Sequence, residues 1–249
     1  MTILNFAPGT KLARETFDLA FELKQRIYAL RKLATDEMNK VVGSDNPQNR
    51  ICRAAIGLDQ AADEYLRSLY LLLYALITGQ ELKMPGHMTD EELAEFQMFM
   101  TAQADLFAKY TQGWSKGTLV LDNLDPPAEA KAILEQALEF QLKAGRIAFL
   151  LTKPNQSDSA SRSRSLTGPV SWPLKNFLQA AHRLSASSYE YFYSTKTGRI
   201  LSALLGADMA AFREFLDFRK ENKSLIDQYF KNTSNLVDEE GNTITYYFD

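Results

Sequence analysis

The stretch from Glu64 to Gly79, EYLRSLYLLLYALITG, is apolar on every side between Leu69 and Ile77. A helix that is apolar round its whole circumference must be covered by lipid, by another chain or by its own chain. A membrane-spanning helix needs about 20 consecutive apolar residues, and polar residues interrupt this run on both sides. We therefore predict no membrane span and a helix buried within its own bundle. The alternative is a partner interface made by Tyr70, Leu73, Tyr74 and Ile77.

Two long helices are predicted around this stretch. In residues 11–42 apolar side chains recur at spacings of three and four, which is typical of an amphipathic helix; they include Leu19, Leu23, Ile27, Leu30, Ala34, Met38 and Val41. Asn46 is suited to cap the second helix, Pro47 to occupy its first turn and Gly79 to end it. Because the connection is short, we expect the helices to turn back on each other. The antiparallel hairpin of residues 11–79 is the predicted spine of the fold.

Four more helices are predicted after the hairpin. The third begins at Thr89, which has Glu92 at the spacing of a capping box, and the fourth follows Asp125 with two prolines in its first turn. The approximate ranges of the four helices are 89–113, 126–151, 172–195 and 208–231. We expect the first and fourth helices to cover the apolar second helix through Leu23, Ile27, Leu30, Leu134, Leu138 and Leu142, while the tyrosines keep their hydroxyls at the edges.

The end of the chain favours β structure. An EEGN turn precedes TITYYF at residues 243–248, which predicts a hairpin that pairs with residues 2–6 or lies on the bundle. The serine-rich residues 153–169 predict a flexible loop, with a lobe boundary at 154–170 as an alternative to one continuous helical domain over residues 1–249. The predicted fold is an all-α bundle of five to seven helices with a small β appendage at the termini.

Composition limits the classes of partner and compartment. The formal charge of −3 on 249 residues is small, so no global field draws the chain to nucleic acid or to a membrane surface. The single cysteine, Cys52, excludes an internal disulfide framework and favours a reducing compartment, by default the cytoplasm. The first residues show no basic segment followed by a long apolar one, so no secretory signal is predicted.

Most catalytic patterns are missing from the sequence. His87 and His182 are its two histidines, no phosphate-binding glycine loop occurs, and no cofactor is predicted. One carboxylate pattern could carry chemistry: Asp59 and Asp63 are four residues apart and share a helix face. Such a pair could hold Mg²⁺ bound to a diphosphate, as in all-helical prenyl-transfer enzymes, provided that a second acidic cluster faced it. The alternative interpretation is a solvated helix face with basic partners.

Positive charge is concentrated in residues 141–199, which carry 9 basic and 2 acidic side chains. Aromatic residues alternate with the cations, and the two together could neutralise phosphates and stack on unpaired bases. The candidate nucleic-acid-binding residues are Lys143, Arg146, Lys153, Arg162, Arg164, Trp172, Lys175, Arg183, Lys196 and Arg199. The alternative is that this basic segment pairs with acidic helices of its own chain or of a protein partner.

The sequence as a whole favours a non-enzymatic structural or adaptor subunit that binds protein chains through its helical faces. The bound chain could be a second copy or a different protein. The absence of a catalytic set and the apolar second helix support this hypothesis. A nucleic-acid-binding protein that uses the basic segment is the second hypothesis. A Mg²⁺-dependent helical enzyme acting on a diphosphate at Asp59 and Asp63 is the third.

Overall fold

The computed structural model describes residues 8–41, 46–112, 125–152, 164–166, 169–201, 209–234 and 246–248. These residues form eight α-helices: α1 (Pro8–Asn39), α2 (Pro47–Thr78), α3 (Asp90–Ala102), α4 (Ala104–Gln112), α5 (Pro126–Thr152), α6 (Ser171–Thr197), α7 (Met209–Glu221) and α8 (Lys223–Ser234). A 3-10 turn at Pro85–His87 precedes α3. The helical class is confirmed. The count exceeds the prediction because breaks at Gln103 and Asn222 divide two of the predicted helices.

Local chemistry sets the bounds of α2, as predicted. The side-chain oxygen of Asn46 accepts a hydrogen bond from the Asn49 backbone N–H at 2.8 Å, and Pro47 occupies the first turn. At the other end Gly79 adopts a left-handed conformation with φ +73°, and its N–H donates to the Ala75 carbonyl at 2.9 Å. A residue with a Cβ would be strained at this φ, so glycine ends the helix there.

Four long helices form the centre of the molecule in the cyclic order α1, α2, α6, α5. The carbonyl of Gly198, just after α6, accepts a hydrogen bond from Arg50 near the start of α2 at 3.4 Å. Gly9 at the start of α1 lies against Leu151 at the end of α5. The neighbours are therefore antiparallel, and α2 and α5 lie diagonally opposite each other.

Helix α2 is covered from several directions by its own chain. The ring of Tyr65 stacks on Phe140 of α5, with centroids 5.5 Å apart, and so reaches across the bundle. Outside the bundle, α3 and α4 cover the tyrosines nearer the end of α2, and the ring of Tyr70 stacks on Tyr110 with centroids 4.0 Å apart. Within the described residues, no helix is long and apolar enough to cross a membrane.

Two expectations about the core need correction. Of the six leucine and isoleucine residues predicted to cover α2, five are buried, but Leu142 is 39% exposed. Steps of four residues advance 400° round a helix, so Leu142 has rotated about 80° away from Leu134. The hydroxyls of Tyr65 and Tyr70 do not reach the edges: both are buried without a hydrogen-bond partner in the described part of the chain. The free energy gained by packing the two rings between helices outweighs the cost of burying their hydroxyls.

The strand near the end of the chain pairs with the serine-rich segment. Strand β1 (Arg164–Leu166) and strand β2 (Tyr246–Phe248) are parallel, with Ser165 opposite Tyr247. The predicted β appendage built from the two termini is not confirmed. Residues 2–6 and the EEGN turn lie outside the described residues, as does most of the predicted serine-rich loop.

Candidate functional site

The Asp59 and Asp63 carboxylates meet Lys24 between α2 and α1. The Lys24 ammonium lies 2.5 Å from Asp59 Oδ1 and 2.9 Å from Asp63 Oδ1. It also donates a hydrogen bond to the backbone carbonyl of Asp59 at 3.2 Å. From further along α1, Arg31 Nη1 donates to Asp59 Oδ2 at 2.6 Å. The four side chains form one ion-pair network that joins the two helices.

The network is buried at its centre and open at its edge. The side chains of Lys24 and Asp59 are each 3% exposed, whereas those of Asp63 and Arg31 are 33% and 43% exposed. Burial raises the pKa of Asp63, although its hydrogen bond to Lys24 acts in the opposite direction. The hydrogen bond to Asp59 raises the pKa of Arg31. The buried cation and carboxylate therefore compensate each other, and Asp63 lies between them and solvent.

This geometry does not support a Mg²⁺ site at Asp59 and Asp63. Mg²⁺ keeps several water ligands and is bound to protein through one or two carboxylates, whose oxygens must be free to face it. Here the Lys24 ammonium already occupies the position between the two carboxylates. Among the residues that the structure describes, no group of three His, Cys, Asp or Glu could hold a metal ion. The diphosphate hypothesis is not carried further.

The predicted partner interface on α2 is covered by the chain itself. Tyr70, Leu73 and Tyr74 are each at most 2% exposed, and Ile77 is half-buried against the core. The ring of Tyr74 packs edge-on against Phe99 of α3, with centroids 4.9 Å apart. Because α3 and α4 lie over this side of α2, these side chains offer no open surface to a second protein.

The structure describes the side chains of seven of the ten predicted nucleic-acid-binding residues. Lys153 and Arg162 lie outside the described residues, and only the backbone of Arg164 is described. Arg146, Lys175 and Lys196 are on the bundle helices. Several of the other cations pair with acidic side chains: Lys143 with Glu139 at 2.7 Å, Arg183 with Glu64 at 2.6 Å and Arg199 with Glu214 at 2.6 Å. The Arg183 pair links α6 to α2, and the Arg199 pair links the residues after α6 to α7, as in the alternative interpretation of this segment.

The aromatic residues of the same segment are mostly inside the bundle. Base stacking needs an exposed aromatic face. Of the seven aromatic residues in 141–199, Phe149 is half-buried and five are buried: Phe177, Tyr189, Tyr191, Phe192 and Tyr193. Trp172 is the exception, at 59% exposure, with Lys175 Nζ 5.8 Å from its ring centroid. The segment therefore presents one open aromatic ring among the described residues rather than a row of them.

A different surface is left open on α7. Met209, Phe212 and Leu216 are 68%, 46% and 46% exposed. Residues three and seven positions apart share a helix face, so these three side chains form one stripe within roughly 60° of arc. The same helix packs Ala211 and Phe218 into the core on its opposite side. We refer to Met209, Phe212 and Leu216 as the α7 stripe.

Cations border the α7 stripe. Arg213, Arg219 and Lys220 are exposed on the same helix and flank the stripe on both sides, at 100° per residue. The Arg219 guanidinium lies over the ring of Phe230 in α8, 5.4 Å from its centroid. Of the three acidic side chains of α7, Glu214 pairs with Arg199, and Asp217 and Glu221 lie further round the helix than Arg213, away from the stripe. The open face of α7 is therefore apolar with a basic rim.

Sequence reasoning missed the α7 stripe because periodicity alone does not say which apolar residues are covered. The sequence predicts one helix over residues 208–231 and does not indicate which of its apolar residues face the core. The available signal was that α7 carries apolar residues on two opposite sides.

Comparison with protein-family models, with curated proteins and with solved structures gives no match for this chain. Its function must therefore be inferred from its own side chains.

Proposed function

We propose that this protein is a non-enzymatic adaptor or structural subunit that binds another protein chain through the α7 stripe. The observation that carries the proposal is the exposure of Met209, Phe212 and Leu216 on one face of a helix whose opposite face is buried. Large apolar side chains that are grouped on an open face are typical of protein interaction sites. An amphipathic helix can bury such a stripe by the i, i+3, i+7 pattern of contacts.

The charge at the rim favours a partner of a particular chemistry. Arg213, Arg219 and Lys220 surround the stripe, so the best fit is an acidic amphipathic helix of a different protein. In a symmetric dimer through this face, each copy would bring the same cations towards the same cations. Self-association through α7 is thus disfavoured, although a second copy was one of the partners considered from sequence. The single cysteine fits a partner in a reducing compartment such as the cytoplasm.

The test compares Leu216→Glu with Gln228→Glu, which adds the same charge on an exposed position of α8. Affinity purification from the native host, with and without nuclease, should recover a protein with the wild-type chain and with Gln228→Glu. The purified partner should then bind Leu216→Glu more weakly by on the order of 2 kcal/mol, about thirtyfold, because a charge is buried in the apolar centre of the interface. Circular dichroism checks that both variants remain folded.

Two results would contradict the proposal. One is that folded Leu216→Glu binds every recovered protein with wild-type affinity, which would mean that α7 is not the interface. The other is that light scattering shows a dimer that Leu216→Glu splits, which would make the partner a second copy. In the proposed heterologous complex, higher salt should weaken binding, since the rim contributes charge attraction.

The second hypothesis, nucleic-acid binding by the basic segment, rests on the exposed ring of Trp172 with Lys175 beside it. If the adaptor proposal is right, the wild-type protein should show no measurable affinity for single-stranded RNA at about 50 mM salt, where phosphate contacts are strong. Fluorescence anisotropy with a labelled RNA oligonucleotide measures this. Salt-dependent binding that Trp172→Ala weakens and Leu216→Glu leaves intact would replace the adaptor proposal with a nucleic-acid function.

A further inference from the structure

A cavity of about 240 Å³ lies at one end of the four-helix centre. It is formed where the last turns of α1 and α6 approach the first turns of α2 and α5. Leu30 and Tyr191 line its inner part and are each 1% exposed. Ile51 and Pro127 form its sides, and Leu33 lies nearer to solvent. None of the described lining residues belongs to α7.

Most of the described lining is apolar, and Tyr191 is the most buried of its residues with a polar side-chain atom. A tyrosine hydroxyl can donate one hydrogen bond, and within the described residues the side-chain hydroxyl of Tyr191 forms none. Burial raises the pKa of Tyr191, with smaller contributions from Glu129 and Cys52. The group therefore stays an uncharged O–H donor at physiological pH. It can offer its proton to an acceptor atom of a molecule in the cavity.

The size and charge of the cavity narrow the class of ligand. Drug-sized ligands occupy roughly 300–1,000 Å³, so about 240 Å³ suits a smaller molecule. The described lining includes one carboxylate, Glu37, and no cation. Lys40 binds the Glu37 carboxylate at 2.5 Å, so the described part of the lining offers no free positive group to an anion. An anionic ligand would therefore be desolvated without compensation.

We propose that this cavity is a binding site for a small uncharged molecule, an apolar ring or branched chain with one hydrogen-bond acceptor that takes the Tyr191 proton donor. The apolar part would contact Leu30, Ile51 and Pro127. This site is independent of the proposed protein interface and would remain if that interface were disproved. The site uses the Tyr191 hydroxyl, which forms no hydrogen bond with the described residues of the bundle.

Cyclohexanone is a suitable probe, because it combines an apolar ring with one carbonyl acceptor. Methyl NMR spectra of the full chain should show saturable shifts of the Leu30, Leu33 and Ile51 methyl groups at millimolar cyclohexanone. Cyclohexanecarboxylate, which has a similar ring with a negative charge, should bind at least tenfold more weakly. Tyr191→Phe should weaken cyclohexanone binding about two- to tenfold, as expected for loss of one neutral hydrogen bond, and leave binding of methylcyclohexane unchanged.

A second variant fills the cavity without removing the hydroxyl. Ala34 lines the cavity from α1, and Ala34→Leu should abolish the shifts for every probe, while Ala210→Leu on the exposed side of α7 should not. Thermal unfolding establishes that each variant is folded. The proposal is overturned if cyclohexanone causes no methyl shifts in the wild-type protein, if Ala34→Leu binds it as well as the wild type, or if Tyr191→Phe binds both neutral probes unchanged.

Discussion

Replacing Lys24 with methionine is expected to lower the free energy of unfolding by about 3–5 kcal/mol, the usual cost of removing one partner from a buried ion pair. The Lys24 and Asp59 side chains are each 3% exposed, and the ammonium lies 2.5 Å from Asp59 Oδ1. Methionine fills a similar volume, so the loss comes from the Asp59 carboxylate, which remains buried with Arg31 as its remaining cation. Urea denaturation followed by circular dichroism measures the change.

Two further variants test whether the loss of stability comes from the buried Asp59 carboxylate or would follow the removal of any lysine. Lys223→Met removes a cation from an exposed i, i+4 pair on α8, and it should change stability by no more than about 0.5 kcal/mol. The double change Lys24→Met with Asp59→Leu removes both buried charges and should recover most of the loss, since an apolar pair can replace a buried ion pair. A loss below about 1 kcal/mol for Lys24→Met alone would show that water reaches Asp59.

Acidification should reduce the defect of Lys24→Met. Burial already raises the pKa of Asp63, and the Lys24 hydrogen bond that opposes this rise is lost in the variant. The pKa of Asp63 in the folded variant should therefore lie further above its unfolded value. The folded state then binds more protons than the unfolded state in that window, so its stability increases as pH falls through it. The difference in the free energy of unfolding between Lys24→Met and the wild type should be largest at neutral pH and smaller at acidic pH.

Local features of the fold were predictable because their causes lie within a few residues. The capping box of α3 is an example: Glu92 N–H donates to Thr89 Oγ1 at 3.2 Å, and the Thr89 N–H donates to Glu92 Oε2 at 3.0 Å. The bounds of α2 follow in the same way from Asn46 and Gly79. The free energy of such motifs depends on spacing in the sequence, and spacing is visible without a structure.

The candidate sites were harder to predict because they depend on contacts between distant residues. Asp59 and Asp63 do share a helix face, but Lys24, the residue that decides their role, is 35 positions before Asp59. The spacing of the carboxylates is the same whether they face a metal, solvent or a lysine. For Phe212 and Leu216 the sequence shows an apolar stripe, and only the packing of Phe218 into the core shows that the stripe faces outward.

Replacing Leu73 with alanine should cost about 2–5 kcal/mol in the free energy of unfolding, because a large side chain leaves a cavity in a core that closes only in part. Leu73 is 0% exposed, and its own chain covers it. The molecular mass in solution should therefore stay the same. Leu142→Ala is the matched control on a helix of the same centre: Leu142 is 39% exposed, so its truncation should cost distinctly less. Urea denaturation and light scattering on the same samples give both quantities.

A charge at the same position separates a core residue from an interface residue. Leu73→Glu places a carboxylate at a fully buried position of the apolar core. The chain should therefore lose its cooperative fold rather than release a partner. Leu216→Glu on the α7 stripe should behave in the opposite way and leave the chain folded. If Leu73→Glu were folded and lighter in solution than the wild type, a second chain would complete the covering of α2. The packing of α3 and α4 over Tyr70 and Tyr74 argues against that outcome, because it already closes this side of the helix.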